Sequence, residues 1–390
     1  MTGFLQMPPE LPDAWQTDRV LREALEWSLG AEVFETALPS FEEMGTFAVE
    51  PRTRALAMRA EQEPPVHIPY APWGDRIDEI EVSDAYEELG KQGVVRGITA
   101  LPYEPEPYGP KARVVWAGLH MMWGPSSALY SCPVAMTDAA ARTLLLYGGP
   151  DDLVVVDRLT TRDPQRAWTS GQWMTETTGG SDVGRTETIA RREDDGWRLY
   201  GTKWFTSATT SEVALTLART EGSPTGSAGL SLFRIHRMLP DGARNHIFVR
   251  RLKDKLGTRA LPTAELELQG ALAFPVGEVG GQGLKRIATM LNITRLHNSL
   301  GAAGALARGL SWARAFAQVR EVFGRSLALQ PAHRATLTDL TVDYAASLAL
   351  VMRCAELTGL VEHGRADEQE VAILRGLTPI AKLSTARWAV

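Results

Sequence analysis

Residues 172–188 read "QWMTETTGGSDVGRTET", a segment with two adjacent glycines that allows two structural interpretations. Its Thr, Gly, Ser and Asp residues are common in turns, so one interpretation is a surface loop. Paired glycines also let main-chain amides approach a phosphate group or the edge of a ring closely, so the other interpretation is a cofactor-binding loop. The choice between the two depends on the sequence around the stretch.

The composition of the chain is that of an ordinary globular protein. Its 390 residues are long for one core and predict two or three domains. Apolar residues make up 44% and charged residues 23% of the chain, which is typical of soluble proteins. The net charge of -6 gives no overall signature of nucleic-acid binding, while leaving a local basic patch open.

The cysteines and the first residues predict the compartment. Cys132 and Cys354 lie far apart and form no CxxC motif, so we expect buried thiols in a reducing compartment and neither a disulfide nor a metal site. No basic region followed by an apolar run opens the sequence, and no window approaches 18 consecutive apolar residues. We therefore expect a cytoplasmic protein without a membrane span.

Up to about residue 168 the sequence pattern is helical. "DRVLREALEWSLG" places Val20, Leu21, Leu25 and Leu29 at helical spacing, and Gly30 is a plausible terminator. "KARVVWAGLHMMWGPSSAL" and "TDAAARTLLLYGG" predict two further helices, each ended by glycine or Gly-Pro.

From about residue 186 to residue 275 the pattern changes to short strands. "ETIARRE" and "GWRLYGTKWFTSA" lie on either side of Asp194-Asp195-Gly196, which is a strong hairpin signal. Further short apolar runs follow with turn residues between them. This region predicts a small β-sandwich or barrel.

From Gly281 onward long helices return. An apolar stripe at three- and four-residue spacing predicts the core of a helical bundle; its members are Leu337, Leu340, Tyr344, Leu348 and Val351. A second stripe has no terminating glycine after it, and its members are Val371, Leu374, Leu377, Ile380 and Leu383. A fraying terminal helix is one interpretation of this ending. We expect instead that further helices follow residue 390.

The order of these regions and three motifs resemble the acyl-CoA dehydrogenase flavoprotein family. The motifs are "MTETTGGSD", "GTKWFTS" and "REVFGRSLALQ", and residues 239–270, "LPDGARNHIFVRRLKDKLGTRALPTAELELQG", are similar to the AidB-like branch of the adaptive response to DNA alkylation. The resemblance implies an α+β fold. Its parts would be an N-terminal helical domain (1–168), a middle β-barrel or sandwich (169–280) and an incomplete C-terminal helical bundle (281–390).

The resemblance also implies FAD, which favours the cofactor-binding loop. In the family, main-chain groups around Trp173, Met174 and Thr175 bond the pyrimidine edge of the flavin, and the Thr175 hydroxyl lies near N5. Ser181, after Gly180, meets a pyrophosphate oxygen. The residues assigned to FAD in this first motif are Gln172, Trp173, Met174, Thr175, Gly180 and Ser181.

The second motif assigns Phe205, Thr206 and Ser207 to FAD, with the aromatic ring covering one side of the flavin. In a regular strand Phe205 and Ser207 lie on the same face. An ordinary amphipathic strand with Trp204 in the core is the alternative.

The third motif assigns Arg320, Phe323 and Gln330 to the adenosine and pyrophosphate end of FAD held by a neighbouring subunit. This implies a homo-oligomer, a dimer or a homotetramer. Without the resemblance, Arg320 and Phe323 would be a helix end capped by Gly324.

The family's catalytic Glu comes from one of two places. At the first, in "LNITRLHNS", this chain has Thr294 before Arg295, and Thr294 has no carboxylate. The catalytic base is therefore unknown here and expected beyond Val390, with Arg295 near the substrate.

The histidines fall in no metal-binding pattern. We therefore expect core or surface roles for His120, His297 and His333, and we expect no bound metal.

Two classes of function follow. The first is an FAD-dependent oxidoreductase that dehydrogenates an acyl-CoA thioester between its α- and β-carbons and passes electrons to an acceptor flavoprotein. The alternative is an AidB-like flavoprotein that binds DNA through a basic C-terminal region and protects it from alkylation.

Overall fold

The computed structural model describes residues 6–104 and 106–390. The described chain forms two compact units, each built from separate segments. The first comprises Leu101–Ser127, Arg295–Val390 and the described part of residues 1–55, and the second comprises Leu56–Ala100 and Ala128–Thr294. Because these units are discontinuous, they do not test the domain boundaries at residues 168 and 280, which stay a prediction.

The described elements begin and end as follows. The helices are α1 (Ala14–Thr17), α2 (Arg19–Leu29), α3 (Ala31–Phe47), α4 (Pro51–Gln62), α5 (Asp84–Val95), α6 (Ala112–Trp123), α7 (Ser131–Tyr147), α8 (Pro150–Leu159), α9 (Gly283–Val319), α10 (Pro331–Glu362) and α11 (Glu368–Trp388). The strands are β1 (Val66–Tyr70), β2 (Arg76–Glu81), β3 (Ser170–Gln172), β4 (Ile189–Glu193), β5 (Gly196–Ser207), β6 (Val213–Thr220), β7 (Leu230–His236), β8 (Ile247–Leu252), β9 (Thr263–Pro275), β10 (Glu321–Val322) and β11 (Arg325–Ser326).

Helix α2 shows why the local signals were sufficient in the first unit. The Asp18 carboxylate accepts a hydrogen bond from the Leu21 amide and so caps the helix start. Leu21, Leu25 and Leu29 are buried, and the helix ends at Gly30, whose φ of 76° favours glycine. The helices predicted in this region, including α6 and α7, are confirmed.

The apolar stripe of α10 is only partly buried, which corrects the prediction. Tyr344, Leu348 and Val351 are buried, but Leu340 is 40% exposed. On α11, Ile380 and Leu383 are also exposed.

By length and composition α10 is apolar enough to cross a membrane. An 18-residue window of this helix has a mean hydropathy of 1.3, but 56% of that window is buried inside the protein. A core helix passes the same test, so this is weak support for a span.

The second unit contains the barrel that the strand pattern predicted. Each strand of a closed ring pairs with the next, in the order β6, β4, β5, β9, β7 and back to β6. Strand β3 joins β6 in parallel, and β8 joins β9. The hairpin signal is confirmed, because Glu193 of β4 faces Gly196 of β5 across Asp194 and Asp195.

The hairpin of β1 and β2 was missed, since the sequence up to residue 168 was interpreted as helical. The two strands pair antiparallel in the second unit. Asp78 is buried in β2 and accepts hydrogen bonds from His67 Nε2 at 2.9 Å, Arg76 Nε at 2.8 Å and the Val249 amide at 3.2 Å. These bonds connect the hairpin to strand β8.

Candidate cofactor site

The structure brings the first and second motifs together in the second unit. The Trp173 amide donates to the Leu215 carbonyl at 3.0 Å, and its indole Nε1 donates to the Ser207 carbonyl at 3.2 Å. The Trp204 amide donates to the Thr175 carbonyl at 2.7 Å. The loop after β3 therefore lies against the end of β5, and one site can use residues of both motifs.

The loop after β3 makes a tight turn. The amides of Glu176 and Gly179 each donate to the other's carbonyl, at 3.2 and 3.1 Å. A Cβ on Gly179 would lie 2.9 Å from the Asp182 carbonyl oxygen, so a side chain there would push the turn apart. Gly180 and Ser181 follow the turn and are exposed. This leaves main-chain amides and the Ser181 hydroxyl accessible to a ligand.

A buried ion pair holds this loop on the barrel. The Glu176 carboxylate accepts from Lys203 Nζ and from the Thr188 hydroxyl, both at 2.6 Å, and from the Glu187 amide at 2.7 Å. Both charged side chains are buried, Lys203 fully and Glu176 almost fully. Burial acts to raise the pKa of Glu176, but Lys203 and the hydrogen bonds outweigh it and lower that pKa, so the carboxylate stays charged.

Glu176 and Lys203 lie inside the first and second motifs, but no role for either follows from the motifs themselves. A signal for them exists, because a charged residue in the middle of an apolar strand needs a partner of opposite charge. Their separation of 27 residues hid that partner.

Several polar groups of the first motif are open to a ligand. Gln172 Oε1 is buried and has no hydrogen-bond partner among the described residues. The Met174 amide and carbonyl and the Thr175 amide also take part in no hydrogen bond within residues 6–104 and 106–390. The amide and carbonyl of Trp173 are both engaged, the carbonyl with the Thr216 hydroxyl. The main-chain groups available to a cofactor are thus those of Met174 and Thr175 rather than Trp173.

Strand β5 is irregular at the second motif, which corrects one expectation. Lys203 faces Leu266 and Thr206 faces Ala264, so one extra residue bulges out between the two pairs. Phe205 lies in the bulge with a φ of 54°, and the period of two that placed Phe205 and Ser207 on one face does not run through it.

The side chains around this bulge differ in exposure. The Phe205 ring is partly exposed, and Lys253 Nζ lies 3.3 Å from its centroid. The Thr206 hydroxyl is buried and donates to the Ala264 carbonyl at 2.7 Å. The Ser207 hydroxyl lies 3.1 Å from that of Thr263. Of the three side chains assigned to FAD in this motif, that of Phe205 is the most exposed.

The third motif forms a hairpin in the first unit. Helix α9 ends at Val319, and β10 and β11 pair across Phe323 and Gly324, whose φ angles are 51° and 75°. Two positive φ angles in a two-residue loop are typical of a type I′ turn, so Gly324 is a turn residue and not a helix cap. Phe323 is 97% exposed at the tip of this hairpin.

Arg320 and Gln330, the other two residues assigned in the third motif, form hydrogen bonds at the base of the hairpin. The Leu327 amide donates to the Arg320 carbonyl at 2.7 Å, and Arg320 NH1 donates to Gln6 Oε1 at 3.2 Å. Gln330 Nε2 donates to the Val322 carbonyl at 3.0 Å. The structure therefore brings Arg320, Phe323 and Gln330 to one hairpin.

Helix α9 carries both residues considered for catalysis. Arg295 is half-buried in it. The hydroxyl of the adjacent Thr294 donates to the Leu291 carbonyl at 3.0 Å. The 37 residues of the helix include no Asp or Glu. Helix α9 therefore has no carboxylate that can act as a base.

Two histidines of the first unit, His120 and His297, form part of its core, whereas His333 is only partly buried on α10. His120 and His297 are buried with ring nitrogens 3.2 Å apart, and Trp116 packs edge-on against His297. Among the described residues, no group of three or more His, Cys, Asp and Glu side chains is arranged to hold a metal ion.

Comparison with known families matches nearly the whole chain. Residues 7–159 match the "Adaptive response protein AidB N-terminal domain". Residues 171–271 match the "Acyl-CoA dehydrogenase, middle domain". Residues 281–390 match the "Acyl-CoA dehydrogenase, C-terminal domain".

Two curated relatives are longer than this chain. Acyl-CoA dehydrogenase family member 11 of Caenorhabditis elegans is 39% identical over 398 residues, which cover 100% of this chain and 64% of that protein. The putative acyl-CoA dehydrogenase AidB of Escherichia coli K12 is 34% identical over 84% of this chain and 60% of its own length. The chain thus spans less than two thirds of either relative.

Solved structures agree with these matches. Bd2924 in its apo form is 46% identical, with a TM-score of 0.94 over 99% of this chain and 78% of that chain. ACDH-11 of Caenorhabditis elegans in complex with C11-CoA is 38% identical, with a TM-score of 0.96 over 100% of this chain and 67% of that one. A glutaryl-CoA dehydrogenase from Mycobacterium smegmatis in complex with FADH2 shares the fold, with 19% identity and a TM-score of 0.66 over 98% of this chain and 87% of that chain.

An N-terminal helical region, a β-barrel and C-terminal helices, with a glycine-containing loop held on the barrel, are the parts that the matched domains share. The chain belongs to the acyl-CoA dehydrogenase family. Its N-terminal match and its curated relatives associate it with the AidB-like branch, as the motifs predicted.

Proposed function

We propose that this protein is an FAD-dependent dehydrogenase of acyl-CoA thioesters, acting between the α- and β-carbons. The observation that carries the proposal is the loop of residues 172–181. The Glu176–Lys203 pair holds this loop on the barrel, and several polar groups of the loop form no hydrogen bond with another described residue. Members of the family use FAD, and the glutaryl-CoA dehydrogenase from Mycobacterium smegmatis was solved in complex with FADH2.

The residues of the loop fit the chemistry of a flavin. Gln172 Oε1 and the Met174 carbonyl are acceptors, and the Met174 and Thr175 amides are donors, matching a ring edge that carries both kinds of group. Ser181 and the amides after Gly179 suit a pyrophosphate. Phe205 and its bulge would exclude water from one side of the ring. When bound, FAD supplies the acceptor for the hydride that leaves the β-carbon.

The substrate, oligomer and compartment are part of the proposal. The C11-CoA held by the relative from Caenorhabditis elegans supports an acyl-CoA as substrate, with Arg295 near it. The exposed Phe323 hairpin supports a homo-oligomer, up to a tetramer, in which Arg320, Phe323 and Gln330 contact a neighbouring subunit's FAD. We further propose a cytoplasmic location and transfer of electrons to an acceptor flavoprotein.

The test is flavin retention after purification. The protein should purify yellow, and Ser181→Ala or Thr175→Ala should each weaken FAD binding by roughly 1–2 kcal/mol through a lost hydrogen bond. Thr177→Ala, an exposed position in the same turn, is the matched control and should retain FAD. A protein that folds in excess FAD but shows no flavin absorbance bands would refute the proposal.

A second candidate function, DNA binding by an AidB-like flavoprotein, is favoured by the match of residues 7–159 alone. Retention on a DNA column that falls steeply with salt would support it, because phosphate contacts release counterions. Anaerobic bleaching of the flavin by acyl-CoA with no DNA retention would support the dehydrogenase.

A further inference from the structure

The first unit contains a cavity of about 830 Å³, and none of the residues assigned to FAD lines it. Helix α9 lines it with Gly304, Ala307, Arg308 and Ser311, which recur at three- and four-residue spacing, and the lining continues to Val319. Fifteen residues of helix correspond to roughly 22 Å at 1.5 Å per residue. The cavity is thus long enough and large enough for a small organic ligand.

Most of the wall is apolar. Met121, Met122 and Pro125 line the cavity together with Leu310 of α9 and Met7 near the start of the described chain. Such walls favour a ligand with an extended apolar body.

Arg308 is one of the charged residues of this wall, and it differs from the others in its hydrogen bonds. Its NH1 donates to the Ser126 hydroxyl at 3.0 Å and its NH2 to the Ala48 carbonyl at 3.5 Å. A guanidinium has five N–H donors, so these bonds use only part of its capacity. In the described part of the chain no Asp or Glu forms an ion pair with it.

A second arginine makes the imbalance larger. Burial, and then the neighbouring Arg54 guanidinium, lower the pKa of Arg308 to about 10. Arg54 Nε is itself buried and bonds to no group in residues 6–104 and 106–390. Two like charges in a half-buried site favour an anion that neutralises them.

Among the described residues, no acidic group of the wall forms an ion pair with Arg308. Asp18 is hydrogen-bonded by the Tyr344 hydroxyl at 2.6 Å and lies near Arg314, which is six residues, or roughly 9 Å of helix, beyond Arg308. Glu10 and Glu321 are exposed. An anionic group is therefore favoured only at the Arg308 end.

We propose that this cavity binds an apolar carboxylic acid, with the carboxylate on Arg308 and the hydrocarbon body along α9 towards Leu310 and Val319. The site lies within the first unit and needs none of the flavin-binding loop. The inference is thus independent of the proposed dehydrogenase activity.

The experiment is calorimetric titration of the purified protein with decanoate and with 1-decanol. Decanoate should bind with one-to-one stoichiometry and about tenfold or more tighter than 1-decanol, since a charge-assisted hydrogen bond is lost in the alcohol. Arg308→Met should weaken decanoate binding to the level of the alcohol and leave 1-decanol binding unchanged. Ala307→Trp should abolish both by filling the cavity.

The matched control is Arg375→Met, an exposed arginine of α11 outside the cavity, which should bind decanoate like the wild type. Thermal melting checks that each variant folds, and the comparison of the two ligands on wild type needs no variant. Equal affinity for acid and alcohol, absence of decanoate binding, or undiminished binding by Arg308→Met would each overturn the proposal. FAD retention should be the same in Arg308→Met and wild type, so a failure here is distinct from a failure of the proposed function.

Discussion

Glu176 and Lys203 are buried charges, and each depends on the other for its stability in the interior. We expect Glu176→Gln to lower the free energy of unfolding by roughly 3–5 kcal/mol, because it leaves the Lys203 ammonium buried without a counter-charge. The measurement is urea unfolding followed by circular dichroism.

Glu187→Gln is the matched control for this change. The Glu187 side chain is exposed, and the hydrogen bond to Glu176 comes from the Glu187 main-chain amide. The free energy of unfolding of the Glu187→Gln variant should therefore stay within about 0.5 kcal/mol of wild type. If both variants unfolded alike, the pair would not be what holds the loop on the barrel.

The His236 imidazole makes the free energy of unfolding of the protein depend on pH. Burial, and then the adjacent Arg234, lower its pKa from 6.5 to about 4. The unfolded chain therefore takes up a proton near pH 6.5 while the folded chain does so only near pH 4, and the free energy of unfolding falls as the pH drops through that window. His236→Gln should remove this part of the dependence in chemical unfolding measured at several pH values.

The surroundings of His236 define the control. Arg234 also pairs with the Asp152 carboxylate at 2.7 Å, and the rings of Trp168 and Phe274 each make an edge-to-face contact with the imidazole. His246 is exposed in the same unit, so His246→Gln should keep the wild-type pH profile. A profile that is identical in wild type and His236→Gln would show that His236 is protonated normally.

At the scale of elements, the hairpin of β10 and β11 presents an aromatic ring to solvent. Because Phe323 is almost fully exposed, Phe323→Ser should change the free energy of unfolding of the isolated chain by less than about 0.5 kcal/mol. If the ring contacts a neighbouring subunit's FAD, the same change should reduce both oligomer size and FAD content. Sedimentation velocity and flavin absorbance measure the two.

Trp73 is a matched control, since it is an exposed aromatic residue in the turn between β1 and β2. Trp73→Ser should leave oligomer size and FAD content unchanged. An intact oligomer with full FAD content in Phe323→Ser would contradict a shared site at this hairpin.

The elements that the sequence predicted are those with local signals. Asp18 and Gly30 mark both ends of α2, and Asp194-Asp195-Gly196 marks the hairpin of β4 and β5. The motifs of the candidate site were likewise found, because residues 172–181 are contiguous. These features depend on neighbours in sequence, which a pattern records.

The features that were missed depend on pairing between distant residues. The extra residue at Phe205 follows from the register of β5 against β9, which a period of two does not reveal. The Glu176–Lys203 pair joins the loop after β3 to strand β5, and the engaged main chain of Trp173 depends on Leu215 and Thr216. The exposure of Leu340 depends on what packs against α10.

Considered as a whole, the protein has the fold of the acyl-CoA dehydrogenase family, but its helix α9 carries no carboxylate that could act as a catalytic base. The chain spans 64% and 60% of its two curated relatives, and residues 281–390 match the family's C-terminal domain. Within that match, α9 supplies Arg295 but neither Asp nor Glu. We therefore expect proton abstraction, rather than the flavin-binding loop, to limit the proposed dehydrogenation by residues 1–390.

Thr294→Glu tests this limit directly. Its side chain is half-buried next to Arg295 and makes only a local hydrogen bond to Leu291, so a carboxylate can replace it without breaking a long-range contact. In residues 1–390, acyl-CoA should reduce the bound flavin slowly. Thr294→Glu should raise the rate of this reduction by up to ~10²-fold, which is the low end of what a positioned base contributes. The measurement is anaerobic stopped-flow absorbance with acyl-CoAs of increasing chain length.

Asn292→Glu is the control, because it adds the same charge to an exposed position two residues earlier on α9. It should leave the rate of flavin reduction unchanged, since residues two apart on a helix do not face the same way. Equal gains in both variants would indicate a general effect of charge. Rapid reduction by the unchanged chain would show that a carboxylate outside α9 already acts as the base, and Thr294→Glu would then give no gain.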